Sequence, residues 1–263
     1  MGEVKQFCKG KRRGFLKNGI NNFFFAAYNN SVEEITITQN GGGGVYTSYL
    51  FGKVRDRFSF LPATIDMEKD GDFTEIAVKT ERAYCPYVRR FVEENVADVI
   101  AVGYKYAFFE KRLCLPLLTA SEKRLLITAL VAADFQDDRS YVARRLCGFE
   151  SYSLDGVFHF RLKDLKKRWE SVVQYVPTDM GVASLENFLK FLTEDGEKKL
   201  FVKDGKVYDE EYRVLSRSVL TGKASAVGEI LLGGAGQVYC FGETDKETSN
   251  FLKKYYGGKV IFC

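Results

Sequence analysis

The sequence is short of the residues on which many enzyme sites depend. Its 263 residues include one histidine, one tryptophan and four prolines. Six cysteines occur, but no two of them form a Cys-x-x-Cys pair, and a single histidine adds little to a zinc site. We therefore expect no metal centre and no cofactor, and we interpret the cysteines as reduced thiols of a cytoplasmic protein.

Long apolar runs are also missing. The most apolar early stretch, residues 23–28, is far shorter than the roughly 18–20 residues that span a bilayer. It is also shorter and less aliphatic than the core of a signal peptide. We expect a cytoplasmic protein without a transmembrane segment.

Motifs for nucleophilic and phosphate chemistry are absent as well. No Gly-x-Ser-x-Gly elbow occurs. The glycine runs at residues 41–44, 222–223 and 233–236 do not satisfy a P-loop or a dinucleotide fingerprint. In particular, residues 41–44 are expected to form a turn between two strands and not to open a helix. We predict no catalytic residue from these motifs.

Three aspartates offer oxygen ligands between two predicted helices. Asp134, Asp137 and Asp138 could in principle hold a divalent cation. Aspartate is equally common as a helix cap at such a junction. We favour the capping interpretation over a metal site.

Basic charge is concentrated at the amino terminus. Residues 1–17 carry six basic and one acidic side chain, whereas the remainder carries 33 basic and 34 acidic ones. Polyanion binding that depends on charge alone is therefore expected in this tail, through Lys9, Lys11, Arg12 and Arg13.

The patterning predicts an α+β protein with a central helical body flanked by two small α/β units. Residues 1–83 combine the basic tail with a glycine-rich unit that contains strands at 32–38, 45–51 and 73–78. Residues 84–176 are predicted to be helical. Residues 177–263 are predicted to be a small α/β unit.

Local signals mark several elements. Pro86 suits the first turn of a helix that continues to about residue 113, and Thr119 with Glu122 forms a capping box. Asp204-Gly205 predicts a hairpin. Residues 210–220 are predicted to be helical, and the chain should close with a parallel strand–helix–strand unit whose helix is capped at Thr244.

The stretch at 153–169, "SLDGVFHFRLKDLKKRW", contains both the histidine and the tryptophan. We predict one amphipathic helix over residues 155–175, capped by Asp155 and ended by Pro177. Phe158, His159 and Phe160 should enter the core with Trp169. The apolar stripe that predicts the buried side comprises Phe158, Leu162, Leu165, Trp169, Val172 and Val176.

The order of motifs resembles the YtxC-like sporulation proteins of spore-forming Firmicutes. "LDGVFHFRLK" at 154–163 and "WESVV" at 169–173 are similar to a helix of that family. "LENFLKFL" at 185–192, "KKLFVKDGKVYD" at 198–209 and the closing strand–helix–strand from 236 follow in the same order. The resemblance covers roughly residues 84–263 and implies a role in sporulation. It implies no catalytic residues.

We therefore expect a sporulation-associated protein that binds a protein partner and does not catalyse a reaction. The predicted binding residues are Arg161, Lys163, Lys166 and Lys167, which lie mostly away from the apolar stripe. One alternative is a nucleic-acid-binding protein that uses the basic tail and the 155–175 helix. Another is an enzyme with a site near His159, since histidine titrates near neutral pH.

Overall fold

The computed structural model describes residues 31–41, 44–194 and 196–263. Helices and two mixed sheets make up this part of the chain, which confirms the predicted α+β class. Its first half contains β1 (Val32–Asn40), α1 (Val45–Phe58), β2 (Ala63–Asp70), β3 (Phe73–Glu81), α2 (Cys85–Asp98), α3 (Lys105–Arg112), α4 (Ala120–Ala133) and α5 (Phe135–Leu146).

The second half begins with a short strand and a short helix. It contains β4 (Ser151–Ser153), α6 (Leu154–Gly156), α7 (Lys163–Tyr175), α8 (Val182–Glu194), β5 (Lys198–Lys203), β6 (Lys206–Tyr208), β7 (Val214–Leu215), α9 (Ala226–Gly233), β8 (Ala235–Phe241), α10 (Lys246–Tyr255) and β9 (Val260–Phe262). Within the described ranges, no helix is both long and apolar enough to cross a membrane.

The first sheet has the strand order β2-β3-β1-β4. β1 pairs antiparallel with β3, and β4 adds to β1 in parallel. The alternation of apolar and polar residues that predicts β1 and β3 is confirmed. Ile35 and Ile37 on β1 and Ile76 and Val78 on β3 are fully buried. These side chains form the covered face of the sheet, against which α1 packs.

The prediction of a strand at residues 45–51 is wrong, because this segment begins α1. β-branched and aromatic residues suggest a strand here, but Leu50, Val54 and Phe58 are buried at helical spacing. Gly44, at φ +76°, precedes the helix in a conformation that glycine adopts without strain. The glycine run therefore does precede a helix. Asn40 directly precedes this glycine run, and its amide donates a hydrogen bond to the Asp155 carboxylate (2.8 Å).

In the helical middle segment, the structure contains the local features that the sequence predicts. Pro86 lies in the first turn of α2, and Thr119 and Glu122 form the predicted capping box at α4. The continuous helix predicted to residue 113 contains one irregularity, a π-helical turn at Val99–Tyr104 between α2 and α3. α4 packs against both α8 and α9, so the helical and C-terminal segments share buried surface.

The prediction of one helix over residues 155–175 is wrong in its first third. A π-helical turn at Val157–Arg161 precedes α7, and Leu162 breaks the helical path between them (φ −112°, ψ 34°). Ser153, not Asp155, caps the short α6 by accepting a hydrogen bond from the Gly156 amide (3.2 Å). α7 ends at Tyr175, just before Pro177, as predicted.

The second sheet has the order β7-β6-β5-β8-β9. The Asp204-Gly205 hairpin joins β5 and β6, and β5, β8 and β9 are parallel, so the closing strand–helix–strand prediction is confirmed. The helix predicted at 210–220 is wrong, because this segment forms a turn, β7 and a 3₁₀ turn at Arg217–Thr221. The cap of α10 is Asp245, one residue after the predicted Thr244.

Candidate functional site

The four predicted partner-binding residues lie at the start of α7 and just before it. Arg161, Lys163 and Lys167 are exposed, and Lys166 is half-buried. The Arg161 guanidinium lies 4.2 Å from the centre of the Phe149 ring. Lys163, Lys166 and Lys167 are three and four residues apart on α7 and therefore lie on neighbouring positions of the helix surface. Together with Arg161, which precedes the helix, they are called here the α7 basic surface (Arg161, Lys163, Lys166 and Lys167).

His159 borders this surface and does not enter the core. Its ring meets Phe158 edge-on at 5.1 Å, and its carbonyl accepts a hydrogen bond from the Lys166 ammonium (3.1 Å). Phe160 is 77% exposed, so the expectation that residues 158–160 enter the core holds only for the partly buried Phe158. Helical spacing accounts for this outcome, because Phe160 lies two residues from both Phe158 and Leu162 and therefore on the opposite side of a helix from the apolar stripe.

Beneath α7 lies a buried ion pair that the sequence analysis missed. Lys105 is fully buried, and its ammonium is 2.7 Å from the Asp138 carboxylate and 3.5 Å from Asp134. The indole of Trp169 donates a hydrogen bond to the same Asp138 oxygen (2.7 Å). This cluster links α3, α5 and α7, so it fixes the position from which the α7 basic surface projects.

The ion pairs with Lys105 give Asp134 and Asp138 a different role from the helix capping and the metal binding considered for them. Asp134 occupies the N-cap position of α5, yet its side chain makes no capping hydrogen bond. Among the described residues no group of three candidate ligands could hold a metal ion, and the Lys105 ammonium lies between Asp134 and Asp138. One signal for the cluster was available, namely a lysine inside the apolar run that joins α2 to α3.

A second buried polar cluster lies around Asp98. Its carboxylate accepts hydrogen bonds from Arg139 (2.5 Å) and Arg217 (2.9 Å). Burial opposes the charge of Arg217, but Asp98 more than offsets this effect and raises the pKa of the guanidinium. Two cations thus enclose one carboxylate and join α2, α5 and the 3₁₀ turn before α9.

Glu229 on α9 is a buried carboxyl near this cluster. One of its oxygens accepts a hydrogen bond from the Ser218 amide (2.5 Å), and the other has no hydrogen-bond partner among the described residues. Burial raises the pKa of Glu229 because the charged form loses its hydration, although the bonds from Ser218 lower it in part.

Asp155 takes part in a third polar contact. It accepts a hydrogen bond from the Tyr104 hydroxyl (2.8 Å) in addition to the Asn40 amide. Tyr46 packs against Tyr104 at 4.9 Å, and burial, with Asp155 nearby, raises the pKa of Tyr46 to about 12. A Cβ at Gly103 would lie 2.5 Å from the Tyr46 ring, so a larger residue at this position would displace that ring. Asp155 therefore joins β1 to the π-helical turn.

The alternative nucleic-acid residues Lys9, Lys11, Arg12 and Arg13 lie outside the described residues. No family model, curated protein or solved structure matches the chain. The resemblance to the YtxC-like proteins stays a prediction.

Proposed function

We propose that this protein acts in the cytoplasm, in sporulation, as a binding protein that docks an acidic protein partner on the α7 basic surface. The sporulation role is supported by the motif order that resembles the YtxC-like family. The binding role is supported by the arrangement of α7, and it requires no bond chemistry from this chain.

The observation that carries the proposal is the exposed basic surface on an anchored helix. Leu165 and Trp169 bury the inner side of α7, and the hydrogen bond from Trp169 to Asp138 fixes its rotation. Side chains that project from a fixed helix lose less freedom on binding than side chains on a loop. The α7 basic surface is thus preorganised for an anionic partner.

The exposed Phe160 adds an apolar side chain next to this surface. It lies next to Arg161 in sequence and contributes a large ring to the solvent-facing side of the turn. Interfaces that bind proteins combine such aromatic anchors with a charged rim. Asp164 and Glu170 reduce the net charge of the helix, so the partner must match a local pattern and not only a net charge.

The test is spore yield in a deletion strain of the native host, complemented with variants. Charge reversal at Lys163, Lys166 and Lys167 should impair sporulation while the circular dichroism melt of the purified protein stays close to that of the wild type. A matched reversal at Lys111 and Lys190, two exposed lysines on α3 and α8, should leave the yield normal.

His159→Ala separates binding from chemistry. The side chain is exposed, so the variant should fold and support normal sporulation. Loss of sporulation in folded His159→Ala, together with normal yield from the charge-reversed α7, would show a chemical site and contradict the binding proposal. Normal sporulation of the deletion strain would contradict the sporulation role.

A further inference from the structure

The outer face of the second sheet carries a row of aromatic side chains between lysines. On β5, Leu200 and Val202 are buried against the helices, so Phe201 points to the opposite face with Lys199 and Lys203 on either side. Phe201 is half-buried, so part of its ring faces solvent on this strand. A single ring of this kind is ordinary, and it becomes informative only where neighbouring rings extend it into a patch.

The neighbouring strand β8 adds two more rings to the same face. Phe201 lies opposite Tyr239, and Lys203 lies opposite Phe241. The Phe201 ring is 5.4 Å from Tyr239 and 6.3 Å from Phe241, with angles of 28° between the planes in both pairs. The rings are therefore nearly parallel, and Phe241 remains partly exposed.

Tyr212 completes the row from the connection between β6 and β7. Its ring stacks on Phe201 at 4.9 Å and 21°, yet it is 71% exposed. Its backbone has φ +57°, a strained value for tyrosine. Asp209 holds this turn by accepting hydrogen bonds from the amides of Glu211 (3.0 Å) and Arg213 (2.9 Å). The fold thus maintains local strain to place one exposed ring on this face.

Lysines flank the rings. Lys203 lies directly opposite Lys206 across the hairpin, although like charges in this position destabilise a sheet. Neither Lys199 nor Lys203 forms an ion pair with another described residue, whereas nearby Arg213 pairs with Asp209 and Glu211. An anion bound beside the rings would relieve the repulsion between Lys203 and Lys206.

We propose that this surface, the aromatic face (Lys199, Phe201, Lys203, Tyr212, Tyr239 and Phe241), binds single-stranded nucleic acid. Unpaired bases stack on aromatic rings, and the phosphates between them meet the lysines. A duplex hides the faces of its bases, so it can use only the lysines. An acidic protein would likewise use the charges but has no planar bases for a row of parallel rings.

The acidic residues nearby define one edge of the aromatic face. Glu210 accepts a hydrogen bond from the Lys199 amide (2.9 Å), and Glu211 pairs with Arg213 (2.8 Å). Both lie on the β6–β7 connection, where they would repel phosphates. The strand of nucleic acid should therefore run over β5 and β8 and end at Tyr212.

The probe is a fluorescein-labelled oligothymidine of about 12 nucleotides, titrated with the full chain and followed by fluorescence anisotropy. All proteins carry Lys9, Lys11, Arg12 and Arg13 changed to alanine, so that the basic tail does not hide the effect. Tyr212→Asn removes the ring but keeps a residue that tolerates positive φ. We expect Tyr212→Asn and Phe241→Ala each to weaken binding about five- to tenfold, the loss of one stacked base.

Phe60→Ala is the matched control, because Phe60 is an exposed phenylalanine between α1 and β2 and its loss should leave binding unchanged. Lys199→Ala with Lys203→Ala should reduce the salt dependence of binding, and Lys190→Ala should not. If Phe241→Ala does not fold, Tyr212→Asn alone decides the role of the rings.

Competition distinguishes the possible partners. Unlabelled oligothymidine should displace the probe at lower concentration than heparin or a duplex of equal length. Equal displacement by heparin, with no effect of Tyr212→Asn, would show a purely electrostatic surface and overturn the proposal. Preferential displacement by an acidic polypeptide would assign the surface to a protein. Spore yield of the charge-reversed α7 is a separate measurement, so the two proposals can fail independently.

Discussion

The two sheets of this protein are built alike but present different outer faces to solvent. Each sheet covers one face with apolar side chains, represented by Ile37 in the first and Val238 in the second. The outer face of the second sheet is the aromatic face. The outer face of the first sheet is mostly acidic, with Glu34, Asp66, Glu68 and Glu75 beside Thr36, Thr38 and Lys79.

Each outer face also contains one pair of like charges. Glu68 lies opposite Glu75 in the first sheet, and Lys203 lies opposite Lys206 in the second. Such pairs reduce stability slightly in either case. The faces differ in the sign of the charge and in the presence of rings, so the architecture is common to both and the capacity to bind lies in the outward side chains.

The largest expected effect concerns the helical segment that joins the two sheets in sequence. Trp169 is 1% exposed and donates its indole hydrogen to Asp138. Trp169→Ala should lower the free energy of unfolding by about 3–5 kcal/mol in a denaturant titration followed by circular dichroism.

Tyr175→Ala, on the exposed side of the same helix, should change the free energy of unfolding by less than about 0.5 kcal/mol. Equal losses in the two variants would show that burial is not the cause. Native tryptophan fluorescence with the emission maximum of a solvated indole would also contradict the buried position of Trp169.

A smaller effect should appear in the pH dependence of stability, which should differ between the covered sides of the two sheets. Glu229, on the α9 helix that packs on β5 and β6, has a pKa raised by burial. A carboxyl with a raised folded-state pKa leaves stability intact below its unfolded pKa of about 4.3, and stability is lost as pH rises through the folded-state value. Glu229→Gln should remove this part of the pH dependence, measured as thermal midpoints from pH 4 to 8.

The first sheet supplies the matched control for this prediction. Gln39, which is buried, accepts a hydrogen bond from the Thr47 amide (3.2 Å) and carries no titratable group. Gln39→Ala should therefore lower stability by a similar amount at each pH. A Glu229→Gln variant whose midpoints fall parallel to those of the wild type over the whole range would contradict the assignment.

The smallest effects concern the two pairs of like charges. Glu75→Lys and Lys203→Glu each convert a repulsive cross-strand pair into an attractive one, so each should stabilise the protein by about 0.2–1 kcal/mol. Only Lys203→Glu should weaken oligothymidine binding, because Glu75 lies on the other sheet. Melting curves and the anisotropy titration measure the two quantities. Weaker binding caused by Glu75→Lys would break the distinction between the two outer faces.

Several elements could be predicted because their signals are local. The capping box at Thr119 and Glu122 needs only one helical turn, and the Asp204-Gly205 hairpin needs only the strands on either side. The apolar stripe also predicted the burial of Trp169 correctly, although the helix before it is interrupted. These features depend on neighbours within a few residues.

The positions of functional interest were harder to predict. For the basic residues of α7 only the solvent exposure could be predicted, because charge on an amphipathic helix faces solvent, and their role in binding stays a prediction. The exposed position of Tyr212 was not predicted, because the pattern of residues 210–220 favours a helix. Asp209 and the pairing of β6 with β7 instead impose a turn. His159 and Phe160 were placed in the core because they adjoin Phe158 in sequence, although helical spacing puts Phe160 opposite the apolar stripe.

The sequence by itself determined the α+β class, most strands, the capping box of α4 and the exposed basic side of α7, because alternation, helical spacing and turn chemistry act within one element. Only the tertiary structure decided that Lys105 meets Asp138, that Asp98 joins Arg139 and Arg217, and that Tyr212 stacks on Phe201. Each of these contacts joins different elements of the fold. A buried charge or an exposed ring acquires its partner only when packing has brought those elements together, and no spacing along the chain encodes that distance.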